Sequence, residues 1–180
     1  LKNSTEAADY TSWRLLDVPH DWSIEQAYDK DVPGHRANAH LPAGIGWYKK
    51  EIEWNDDWAD KLVFVDFDGV YMKSTVWITP HLKKGKNILT VKVDNSLQPS
   101  ARWYTGSGIY RHVNLVVTDK IRVEKDGTYV TTPEVSSERA RVNFEAEIDN
   151  RLPETYARIT SVILDGDGRE VARISERARL

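Results

Sequence analysis

The chain has 180 residues and a net charge of −3, with a pI of about 6.0, so it offers no basic footprint for nucleic acid or acidic lipid. It has no cysteine, which excludes disulfides, a thiol nucleophile and thiolate-bound metal. No apolar run is long enough to cross a bilayer as a helix.

The polar start "LKNSTEAADYTSW" does not resemble a signal peptide, in keeping with a start downstream of one. It holds one sequon at Asn3-Ser4-Thr5. In "VPHDW", His20 and Asp21 are adjacent, and neighbours in an extended segment point to opposite sides. No serine or cysteine nucleophile is indicated nearby, and Asp21 reads as a turn former and Trp22 as core. In "LPAGIGWY", Gly44 and Gly46 permit a close approach to another surface. Trp47 opens a strand there, and it and Tyr48 read as packing residues.

The periodicity that follows is that of strands. In "KLVFVDFDGVY", Val63, Val65 and Phe67 alternate with Leu62, Phe64, Asp66 and Asp68. The segment "TPHLKKGKN" predicts one or two helical turns, with Thr79 as cap, Pro80 first and Gly85 closing. In "NILTVKVD", Leu89, Val91 and Val93 form one face and Thr90, Lys92 and Asp94 the other. "RHVNLVV" places Val113, Leu115 and Val117 on one side. "ARVNFEAEID" turns Ala140, Val142, Phe144, Ala146 and Ile148 inward and its charged residues outward. "SVILDGDGREVARI" predicts a hairpin, because Asp-Gly supplies the positive φ that a tight turn requires.

The composition changes near residue 118. All seven tryptophans lie at or before Trp103, and regular strands with short turns follow. An all-β chain is therefore expected, with a Trp-rich sandwich over residues 1–118. A smaller sandwich of immunoglobulin-like type follows over 119–180, with room for four or five strands rather than seven, and so incomplete. The histidines outside "VPHDW" (His35, His40, His81 and His112) lack zinc-ligand spacing. No metal site and no cofactor is expected.

The segments "VPHDWSIE", "LPAGIGWYKKEIEW", "VFVDFDGVYMKSTVWI", "LKKGKNILTVKVDN", "RWYTGSGIYRHVNL" and "GTYVTTPEV" resemble, in this order, the N-terminal region of glycoside hydrolase family 2. The branch they resemble most is that of β-galactosidases common in gut Bacteroidetes. The resemblance covers about residues 13–180. It implies a galactose-binding-like jelly roll, then an immunoglobulin-like sandwich, and then a TIM barrel with two catalytic glutamates. Such a barrel needs about 250 residues, more than this chain has. A retaining glycosidase also needs two carboxyl groups about 5 Å apart. Acidic neighbours here, Asp56 with Asp57 and Glu145 with Glu147, read as solvated surface. No catalytic residue is therefore expected in this chain, which is expected to brace the barrel and shape the rim of its sugar pocket.

The resemblance further implies a β-galactoside or related sugar as ligand, the TIM barrel of the same polypeptide as partner, an optional homo-oligomer, and a periplasmic or secreted location. β-Glucuronidases share "WYTGSGIYR" and β-mannosidases share the architecture, so both stay open, as does a free-standing carbohydrate-binding module. Two departures stand out: Ile78 runs directly into Thr79 where family members have a longer loop, and Ala43-Gly44 replaces a sugar-contacting asparagine of some galactosidases.

In "RWYTGSGIYR" the substrate-binding candidates are Arg102, Trp103 and Tyr104. Trp103 or Tyr104 can lay a flat face on a sugar ring, and the Arg102 fork can donate several hydrogen bonds to hydroxyls. Gly106 and Gly108 allow the backbone to turn beneath them. The competing role for Trp103 is core packing. Tyr110 reads as core, and Arg111 as the partner of an acid in the barrel.

Overall fold

The computed structural model describes residues 11–32, 35–78 and 82–180, apart from the side chain of His35. The sequon, the Thr79-Pro80 cap and His81 lie outside the described residues. The chain divides into two compact units: one runs up to Ala59 and resumes over Val63–Val116, and the other comprises Asp60–Leu62 and Val117–Leu180.

The first unit holds strands β1 (Ile45–Glu53), β2 (Leu62–Phe67) from its second residue, β3 (Lys73–Ile78), β4 (Lys86–Asp94) and the first four residues of β5 (Val113–Thr118). One sheet has the order β1-β4-β3, with antiparallel pairing on both sides of β4, and β2 pairs with β5 in a second. Strand β4 is central because both its edges are taken, and its alternation buries Leu89, Val91 and Val93. Those three and Ile109 form the core, on which Tyr48 and Ile52 of β1 pack. Val65 and Phe67 of β2 and Val113 of β5 pack on the same residues. Two sheets therefore share one apolar layer, which is a β-sandwich. Burying each β4 aliphatic contributes about 1.5–3 kcal/mol.

The opposite face of β4 is also covered, and the covering is aromatic. Trp47 of β1 and Trp77 of β3 stack with ring centroids 5.6 Å apart and an interplanar angle of 17°. Trp77 pairs with Thr90 and Trp47 with Lys92, so the ring pair sits over Thr90, which is buried. Trp47 is thus a packing residue of the outer face, whereas Tyr48 packs on the core.

A 3₁₀ turn at Asp56–Trp58 has the side chain of Asn55 as its cap. A second covers His35–Asn38. The sequence pattern did not announce either, since three or four residues are too few for a helical period. Between 82 and 85 no helix forms. The Asn87 side chain instead accepts from the Lys83 amide at 2.9 Å and donates to the carbonyls of Lys83 at 2.9 Å and Gly85 at 3.1 Å, closing the turn by itself.

The second unit is built from β6 (Ile121–Val135) paired with β7 (Ala140–Asn150), and β8 (Tyr156–Leu164) paired with β9 (Glu170–Arg179). Strand β6 shifts register between Val123 and Thr128 and again between Thr131 and Glu134. The first shift contains Asp126 at φ 57°. The second contains Pro133, which has no N–H to give to a ladder. The β8–β9 hairpin forms at the predicted Asp-Gly, with Gly168 at φ 81° and the Asp165 side chain accepting from the amides of Asp167 and Arg169, each at 2.9 Å. On β7 the alternation is present: Ala146 and Ile148 are partly buried, while Val142 is 38% and Phe144 43% exposed, so the apolar face expected to point inward is covered only toward its C-terminal end. Arg122 donates to Asp149 at 3.1 Å and to Glu124 at 2.8 Å, which ties β6 to β7 by charge.

Candidate functional site

Three sequence motifs far apart in the chain meet in the first unit. The amide of His20 donates to the carbonyl of Ile109 at 2.7 Å, and that of Trp22 to the carbonyl of Ser107 at 3.0 Å. "VPHDW" therefore runs alongside "GSGIY" as a short two-stranded ribbon. On the other side, Tyr71 and Gly108 exchange both backbone bonds, at 3.0 and 3.1 Å. The Trp22 ring lies against Gly46 of β1, where a Cβ would fall 2.4 Å from the ring. The close approach predicted for "LPAGIGWY" is made by this indole.

Glycine is required twice in the loop. Gly106 has φ 88° and Gly108 has φ 140°, conformations that favour a residue without Cβ. At Gly108 a Cβ would stand 2.5 Å from the Tyr48 hydroxyl and 2.6 Å from the His20 carbonyl.

Asn95, fully buried, holds the loop from below. Its side-chain nitrogen donates to the Gly106 carbonyl at 3.1 Å and to Ser107 Oγ at 2.7 Å, and its oxygen accepts from Gln98 Nε2 at 2.8 Å. Its own amide donates to the Gly44 carbonyl at 2.8 Å. No motif in the sequence marks Asn95. Its only signal is an amide side chain just after the last core valine of a strand, a place where a side chain commonly caps a departing backbone.

His20 is joined to Tyr48, with Nδ1 2.8 Å from the hydroxyl. Its Nε2 lies 3.1 Å from the Arg14 guanidinium and 3.3 Å from the Glu25 carboxylate. Arg14 also pairs with Glu25. The Arg14 hydrogen bond, and after it that of His20, holds the Glu25 carboxyl below the usual range. Burial pushes the Tyr48 phenol up to about 12. His20 thus sits in a bonded polar cluster rather than a nucleophilic triad.

The three candidates from "RWYTGSGIYR" fall at the start of the loop. Trp103 is 70% exposed, so core packing is not its role. Arg102 is exposed. Tyr104 is half-buried and its hydroxyl donates to Asp21 Oδ2 at 2.5 Å. Burial, and then the Asp21 bond, raise its phenol well above the ordinary value. Asp21 Oδ1 accepts from the Ser23 amide at 3.0 Å, the turn expected of it. Tyr110 is 43% exposed rather than core: with Arg111 it lies against Gly69, where a Cβ would meet both side chains at 2.8 Å.

The sandwich also opens into a crevice of about 700 Å³ lined by core residues including Val65, Phe67, Leu89, Val91 and Ile109. These are the inner faces of the two sheets. The rest of the lining adds charged residues, among them Arg14, Asp17 and Glu51, and the rings of Trp13, Tyr48 and Trp58.

No protein-family model matches the chain. A β-galactosidase of Bacteroides ovatus is 40% identical over 182 residues, which cover 89% of this chain and 21% of that protein. A β-glucuronidase of Formosa agariphila is 29% identical over 89% of this chain and 21% of its own length. Among solved structures, a glycosyl hydrolase family 2 member from Bacteroides cellulosilyticus superposes with a TM-score of 0.90 at 29% identity, covering 97% of this chain and 26% of that one. The chain belongs to glycoside hydrolase family 2. A β-glycosidase from Bacteroides vulgatus has the same fold, with a TM-score of 0.89 at 31% identity over 97% of this chain and 25% of its own. The chain spans about a fifth of the length of these curated relatives. The all-β expectation holds, and a β-sandwich is what the family's solved members share with it.

Proposed function

We propose that this chain is a non-catalytic region of a family 2 glycoside hydrolase that removes terminal β-D-galactose with retention, and that it braces a TIM barrel and shapes the rim of the barrel's sugar pocket. The observation that carries the choice of sugar is the 40% identity to the B. ovatus β-galactosidase. The geometry supports the rim role: loop 102–109 is fastened at its far end, while Trp103 and Arg102 stand exposed at its start. A flat indole and a guanidinium fork are the groups that recognise the apolar face and the hydroxyls of a hexose. Tyr104 completes the contact set with its ring, its hydroxyl being engaged by Asp21.

A β-glucuronidase is the second reading, favoured by the F. agariphila relative. A panel of aryl β-galactoside, β-glucuronide and β-mannoside offered to the full-length polypeptide separates the sugars. The 180-residue chain offered the same aryl β-galactoside is expected to show no turnover, and turnover typical of a whole enzyme refutes the assignment of the carboxylates to another domain. A free-standing binding module would give a heat of binding when the chain is titrated with galactose or lactose. A bracing domain gives none.

A further inference from the structure

We propose that Asp21 and Tyr104 are positioning residues: by accepting the Tyr104 hydroxyl, the Asp21 carboxylate sets how the Arg102–Trp103 tip is presented to the sugar. The inference rests on the reading above that this tip meets sugar.

The two ends of the loop are held in different ways. Residues 106–109 are fixed through the backbone and from below, by Trp22, His20, Tyr71 and Asn95. Residues 102–104 lie beyond that ladder. They are tied through Tyr104, whose hydroxyl donates to Asp21, 83 positions away, and also has a side-chain hydrogen bond with Ser23. A phenol donating to a carboxylate makes a charge-assisted bond, stronger than one between neutral groups.

The acceptor is itself held still. The Ser23 amide donates to the other Asp21 oxygen at 3.0 Å, and Ser23, fully buried, donates through Oγ to the Pro42 carbonyl at 2.6 Å. Gly106 lies against the same carboxylate, where a Cβ would come within 3.3 Å of Oδ2. The acceptor therefore occupies the inside of the loop's own bend. Tyr104 adjoins Trp103, so fixing the phenol restricts the backbone that carries the indole. Asparagine can keep both contacts, its oxygen accepting from the Ser23 amide and its NH2 donating to the Tyr104 oxygen, and so removes only the charge assistance; alanine removes the acceptor itself.

The test has two arms. In the first, the chain is labelled with fluorotryptophan and the Trp103 line is identified by its loss in Trp103→Phe. Tyr104→Phe and Asp21→Ala are each expected to shift or broaden that line by more than its own width. The lines of Trp54 and Trp58, an edge-to-face pair on the Asp56–Trp58 turn, stay in place and certify the fold. A Trp103 line unmoved in both variants overturns the inference.

The second arm uses the full-length polypeptide and the aryl glycoside it turns over. Trp103→Ala is expected to raise KM about tenfold, the equivalent of about 1.4 kcal/mol. Tyr104→Phe is expected to raise KM about fivefold alone and less than about twofold on the Trp103→Ala background, because its effect passes through that ring. An equal factor on both backgrounds overturns the positioning role and leaves the rim reading standing. A KM that Trp103→Ala does not move overturns the rim reading, and the presentation to sugar falls with it.

Discussion

The side-chain nitrogen of Asn95 donates to Ser107 Oγ at 2.7 Å, and both residues are fully buried. This one amide joins the end of β4 to the glycine loop and, through its backbone, to Gly44. Asn95→Leu keeps the branching at Cγ but removes the side-chain partner of the Gly106 carbonyl and the Ser107 hydroxyl, while Gln98 Nε2 keeps the backbone carbonyl of residue 95 at 3.4 Å. Stranding buried polar groups costs more than the bonds themselves contribute. The expected loss is about 2–4 kcal/mol, read as a lower urea midpoint at unchanged slope. Ser107→Ala removes one hydroxyl and is expected to cost about 1 kcal/mol.

Gly108→Ala is a sharper test of the same loop. The substitution imposes a φ of 140° on alanine and drives its Cβ into the Tyr48 hydroxyl and the His20 carbonyl. One obstacle is the end of a side chain and the other is backbone. A loss of about 2–4 kcal/mol is expected. Adding Tyr48→Phe deletes the first obstacle and is expected to recover part of that loss. Full recovery would mean that the His20 carbonyl is not where the ribbon places it.

The stacked pair of Trp47 and Trp77 makes a spectroscopic prediction. Two indoles with centroids 5.6 Å apart and nearly parallel planes couple strongly enough to give an exciton couplet in circular dichroism. Trp77→Leu is expected to remove this pair's contribution and leave that of the edge-to-face pair Trp54–Trp58, and Trp103→Leu to leave the signal unchanged. Removing the ring also uncovers Thr90, and a destabilisation of about 1–3 kcal/mol is expected, since an aromatic pair contributes beyond the area it buries. A signal identical in amplitude before and after Trp77→Leu, measured on a Trp54→Phe background that silences the other pair, would refute the stack.

What could be read from the sequence and what could not divide along a physical line. Strand β4 was legible because period-two alternation is written into adjacent residues: Leu89, Val91 and Val93 are buried as the pattern requires. The β8–β9 turn was legible because Asp167-Gly168 is a local conformational code. The burial of β7 was not, because alternation tells which residues share a face and not whether anything covers it; Phe144 has the right parity and is half open to solvent. The Asp21–Tyr104 bond was not legible either. The sequence marks Asp21 as a turn former and Tyr104 as a sugar contact, but a pairing across 83 positions has no period and no motif. The exposure of Trp103 was likewise undecidable beforehand, since a tryptophan beside two glycines suits a core and a rim equally.

Tyr48 gives the fold a signature at alkaline pH. Its phenol is pushed up to about 12, with burial the leading cause and the backbone N–H of Ile109 opposing it. The unfolded chain titrates this group near 10. Below about pH 10 both states keep the proton, and the group's contribution to stability is fully present. Between about 10 and 12 the unfolded state releases its proton while the folded state retains it, so unfolding is increasingly favoured as pH rises through this window. Tyr104 is raised in the same direction and adds to the loss. The expected result is a urea midpoint that falls more steeply with pH above about 10 in the native sequence than in Tyr48→Phe. Subtracting the two curves removes every group that titrates alike in both proteins. A difference flat from about pH 8 to 12 would mean that the Tyr48 hydroxyl is open to water, and the bonds drawn to it from His20 and Ile109 would have to be withdrawn.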